Sequence, residues 1–66
     1  MAHVIDEFPT LTQVASADAI EIVRWHLFLR PTMANEELDI VKAIARRYDA
    51  MPAATREAIT NRVRRA

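Results

Sequence analysis

A chain of 66 residues with nine basic and nine acidic side chains, and neither cysteine nor glycine, reads as one small domain with a narrow chemical repertoire. Without cysteine there are no disulfides and no thiolate metal ligands. Without glycine the chain lacks phosphate-cradling loops, dinucleotide-binding fingerprints and the tight turns that β-hairpins favour.

An apolar share of 52% against 27% charged residues places it among folded chains, not disordered ones. No run approaches the roughly 18 apolar residues of a membrane span. The start, MAHVIDEFP, has neither the basic flank nor the apolar core of a signal peptide. A cytoplasmic location is the expectation. A domain this small buries only about 60% of its unfolded surface and usually needs disulfides, a metal or association to hold it together. Association is the support that remains here.

Residues 1–9 read as an N-terminal arm, with Val4, Ile5 and Phe8 set among charges. Pro9 keeps the arm from running into a helix, so Phe8 is expected to cover apolar surface on the body or on a second subunit. His3, Asp6 and Glu7 have a spacing that could hold a metal weakly. A solvated charged start is the simpler account, and no metal or cofactor is expected.

Residues 10–66 read as a single helical domain. Thr10 and Gln13 have the T-x-x-Q form of a capping box and predict a short helical turn. Ser16 and Asp18 are candidate caps for a first long helix over 17–30, closed by Pro31. Thr32 or Asn35 caps a second helix over 35–49, with Glu36 and Glu37 in its first turn. Its apolar residues Leu38, Ile40, Val41, Ile44, Ala45 and Tyr48 cover an arc of roughly 160°, which predicts one ordinary buried side. Pro52 opens a third helix over 52–65, whose apolar stripe of Thr55, Ile59 and Val63 is narrow. The expected fold is all-α, a small three-helix bundle with a short arm, its neighbours antiparallel across the short connections.

The first long helix carries two apolar faces. Ile20, Val23 and Leu27 fall together, and Ile22, Trp25 and Leu29 fall about 140° to 180° around from them. The second and third helices have one apolar face each, so the second face of the first is expected to meet a partner. Trp is a favoured interface anchor. Ile22, Trp25, Leu29 and Phe8 are therefore the candidate protein interface. The competing account is a first helix sandwiched between the other two, with both faces in the core.

Charge divides along the chain. Residues 1–41 hold seven acids and two bases, and residues 42–66 hold seven bases and two acids. Acids in first turns and bases in last turns complement helix dipoles, which accounts for most of this. The alternative is a basic surface for nucleic acid, with Arg46, Arg47, Arg56, Arg62, Arg64 and Arg65 as candidate contacts. Ile44, Ala45, Arg47, Arg56, Glu57, Ala58 and Ile59 fall in a register that resembles the helix-turn-helix of GntR-type repressors. That resemblance implies a DNA-binding unit over about a third of the chain. It departs from the family at Asp49, which stands where a turn glycine is usual, and at Ala50, Met51 and Thr55. The string MPAATREA is also similar to the start of the promoter-reading domain of extracytoplasmic sigma factors. The two registers are mutually incompatible, so the string marks a helix start and not a family. Pro52, Ala53 and Ala54 also offer no base-reading side chain where a recognition helix would need one.

Catalysis has little to stand on: the chain has one serine, Ser16, no cysteine and no paired carboxylates. His26 lies between the apolar faces of the first long helix and reads as a half-buried histidine with a neighbouring partner. The expected function is a small non-enzymatic protein-interaction module. It would act as a homodimer, or as a regulator or inhibitor docked on another protein, without a membrane or a small-molecule substrate.

Overall fold

A computed structural model describes residues 4–65, and these form four helices: α1 (Leu11–Ser16), α2 (Ala19–Phe28), α3 (Asn35–Ala50) and α4 (Ala53–Arg65). The all-α expectation holds. The short turn at Thr10 is a helix of its own, and none of the four is long and apolar enough to cross a membrane.

Local chemistry explains the two N-terminal starts. The Thr10 hydroxyl accepts from the Gln13 amide at 3.1 Å, and the Gln13 side chain accepts from the Thr10 amide at 2.7 Å, a complete capping box. Asp18 caps α2 by accepting from the Glu21 amide at 2.9 Å. Glu21 does not reach back to Asp18; it pairs with Arg24 at 2.8 Å.

α2 ends at Phe28, two residues short of the expected Arg30. The N-terminal segment claims the backbone there. The Ile5 amide donates to the Phe28 carbonyl at 2.8 Å, and the Arg30 amide donates to the Ile5 carbonyl at 3.0 Å. Pro31 further disfavours helical geometry at Arg30. α3 also differs at its start. Neither Thr32 nor Asn35 is the N-cap; Ala34 is, with no side-chain bond to the first turn. Thr32 instead accepts from the Ala34 amide at 3.1 Å and donates to the Glu37 carboxylate. At α4 the Pro52 carbonyl accepts the first helical bond, from the Arg56 amide at 3.0 Å, so Pro52 stands just outside the helix.

α2 is the central element. α3 and α4 both pack on it, and α1 packs on α3. The principal core joins Val14 of α1, Ile22 of α2 and Ile44 of α3, with Trp25, Leu29, Ile40, Tyr48 and Met51 gathered around them. Val23 is fully buried but lies outside that cluster, about 100° around α2 from Ile22. With α3 on the Ile22 side, α4 is the helix left to cover the Val23 side. This overturns one expectation. Ile22 has no exposed surface and cannot touch an outside partner, because α1 and α3 already fill the second face of α2. The sandwiched account of that helix is the correct one.

A second expectation also changes. α3 and α4 are joined by a short connection, yet α4 lies against α2 and does not form a packed pair with α3. Its inner face consists of Arg56, Ile59, Thr60 and Val63, all partly covered, while Thr55 is exposed. The stripe is rotated because Arg56 lays its stem inward, with the guanidinium carbon 5.4 Å from the Tyr48 ring centroid. The chain contains no glycine, and no described residue adopts a positive φ.

A candidate protein-docking groove

Unpartnered apolar surface does exist, one step away from where the two-faced helix places it. The 160° arc of α3 is wider than its packing on α2 requires. Ile40, Ile44 and Tyr48 turn into the core. Leu38, Val41 and Ala45, on the other edge of the arc, line a groove of about 340 Å³ between α3 and the C-terminal end of α2. Trp25 and Leu29 form its α2 wall, Pro31 closes the end and Ile44 contributes from the core side. Val41 is 38% exposed on this edge. Met33, two residues beyond Pro31 in the α2–α3 connection, is 93% exposed.

A polar frame fixes the closed end of the groove. Arg30 pairs with Glu37 at 2.8 Å, donates through Nε to the Asp6 carbonyl at 2.8 Å, and lies 4.6 Å from the centroid of the Phe8 ring. One guanidinium thus joins the N-terminal segment, the end of α2 and the first turn of α3. The hydrogen bond from Thr32, followed by the charge of Arg30, holds the Glu37 carboxyl below the usual glutamate range. On the open side His26, exposed, stacks on Tyr48 with ring centroids 3.8 Å apart and planes 7° from parallel.

The four candidate interface residues therefore separate. Ile22 is core. Trp25 and Leu29 are half-buried and present their remaining surface to the groove. Phe8 is half-buried beside Arg30, away from the groove lining. Leu38, Val41 and Met33 were not singled out by sequence reasoning. The available signal was the width of the α3 arc, which exceeds the contact one neighbouring helix makes.

The six candidate nucleic-acid contacts also separate. Arg47 donates to the carbonyls of Val14 and Ala17 at 2.7 and 2.6 Å, closing the C-terminal end of α1. Arg56 is partly buried beside Tyr48. Arg46, Arg62, Arg64 and Arg65 are exposed. On the wheel of α4 the last three point in three directions, so they do not make one basic face. Among the described residues no group of three His, Asp or Glu side chains could hold a metal, and His3 lies outside the described residues. Comparison of the chain with protein-family models, with curated proteins and with solved structures returns no match.

Proposed function

We propose that this chain is a non-enzymatic protein-docking module that works by burying the groove between α2 and α3 against a protein surface, of a second copy or of another protein. A regulator or inhibitor of this kind acts by occupying a surface, which needs shape and apolar area but no reactive group. Its setting in this proposal is the cytoplasm, in keeping with a chain that has no cysteine to oxidise.

The observation that carries the reading is surface left uncovered. Among the described residues only Val14, Ile22, Val23 and Ile44 make up the fully buried apolar set. The chain exposes 4940 Å², about 700 Å² more than the ~4,200 Å² of a compact monomer of its mass. That surplus is close to the ~800 Å² which each partner contributes to a standard interface. The groove is where the surplus is apolar and concave, with Trp25 in its wall, the kind of side chain that anchors interfaces.

A photoreactive residue placed at position 41 tests this in the native cell, with position 61 on the exposed face of α4 as the control. Discrete protein adducts at 41 and none at 61 are expected. Equal yields at both positions, no protein adduct at 41, or nucleic-acid adducts from 61 would overturn the reading, the last in favour of the basic C-terminal half.

A further inference from the structure

We propose that the occupant of the groove is a second copy of this chain, seated by mutual insertion of Met33. The proposal rests on the groove being a docking surface and goes further by naming what docks. Met33 is 93% exposed, an unbranched thioether side chain in water beside an apolar groove that its own backbone position prevents it from filling. It stands directly after Pro31 and Thr32, both of which line that groove. Knob and hole therefore adjoin on one face of one molecule. A two-fold operation through that face puts each Met33 over the groove of the other copy, so one contact satisfies both molecules and the assembly closes as a dimer. A thioether chain with three rotatable bonds suits an irregular apolar slot.

Two independent features favour a second copy over an unrelated protein. The run 31–35, Pro-Thr-Met-Ala-Asn, has no charged side chain, so burying it strips no ion of water. The whole chain is neutral, yet residues 1–41 carry seven acids to two bases and residues 42–66 the reverse. A copy of itself is the partner guaranteed to offer a basic half to the acidic half, and the reverse, at no net charge. The surplus of roughly 700 Å² per chain also lies close to what one side of a standard dimer covers.

The test is the solution mass of the full chain by sedimentation equilibrium, from micromolar to millimolar concentration, for the parent, Met33→Asp and Val41→Asp. Circular dichroism of each variant checks that the helices are intact, and Met33→Ala serves as a milder replacement at the same site. The parent should rise from 7.5 kDa toward twice that mass. Met33→Asp and Val41→Asp should each weaken association at least about tenfold while keeping the helical spectrum, and Trp25 emission should shift to the blue only where the dimer forms. A parent that stays monomeric throughout would overturn the second copy as occupant and leave the groove open to another protein. A dimer lost in Val41→Asp but kept in both Met33 variants would overturn the insertion alone. A dimer indifferent to all three substitutions would place the contact elsewhere and overturn the proposal.

Discussion

Ile22 sits with Val14 and Ile44 where no solvent reaches, while Val41, one helix away, faces an open groove. Both are apolar residues on amphipathic helices, and their substitution should have opposite consequences. Ile22→Ala removes core atoms and leaves a cavity, which costs about 2 to 5 kcal/mol. A domain of this length has only roughly 0.05 to 0.15 kcal/mol of stability per residue, a few kcal/mol in all. The variant should unfold, or nearly so, at room temperature. Val41→Ser should shift the urea midpoint by less than about 1 kcal/mol equivalent, since its surface is already wet. Comparable destabilisation by the two would show that the groove is part of the core. Arg47 carries a comparable structural duty. Its two bonds to α1 carbonyls satisfy the end of a six-residue helix that has no basic residue of its own.

Among the elements, the connection between α2 and α3 is held by side chains more than by packing. Thr32 and Arg30 both bind Glu37, and Arg30 extends the link to Asp6. Because those contacts favour the ionised carboxylate, the native Glu37 binds its proton less readily than the unfolded chain does. Their contribution is complete above the ordinary glutamate pKa of about 4.3 and is lost as pH falls through the lowered native value. Acidification through that window should therefore raise amide exchange at Arg30, Thr32 and Ala34 before it reaches the middle of α3. Glu37→Gln should show the faster exchange already at neutral pH and no further change on acidification. Exchange in the parent that is flat across this range would rule the link out. How far these elements could be read from sequence follows from the range of the interactions that set them. The starts of α1 and α2 were legible because Thr10, Gln13 and Asp18 act on neighbours three residues away. The end of α2 was not, because Ile5 sets it from 23 to 25 positions earlier in the chain. The groove was half legible. The apolar set of α3 was evident, but the wheel cannot tell which edge of a wide arc a neighbour will cover. The two faces of α2 drew attention as surplus, yet they are the faces that α3 and α4 use.

At the scale of the whole molecule, the Cα envelope measures 31 × 28 × 17 Å, so the chain is a slab with α2 through its middle. A slab has more surface for its volume than a sphere, which is why so few side chains are fully enclosed. The backbone of this slab is unexceptional at every described position: there is no glycine, and no residue needs the left-handed region. Its consequence concerns evolvability. In many small domains a few glycines in turns cannot be exchanged for any other residue, whatever their exposure. Here the turns at 17–18, 29–34 and 51–52 impose no such veto. A complete substitution scan read out by protease resistance should therefore find intolerance to all residue types, proline aside, following enclosure, with Val14, Ile22, Val23 and Ile44 strictest. Exposed helical positions such as Thr12 and Glu57 should accept nearly any side chain. Strict intolerance at those two would mean that a constraint outside the fold is acting on them. Freed of backbone vetoes, the surface of this chain can drift almost independently of its fold, so sequences that share its architecture are expected to share little else.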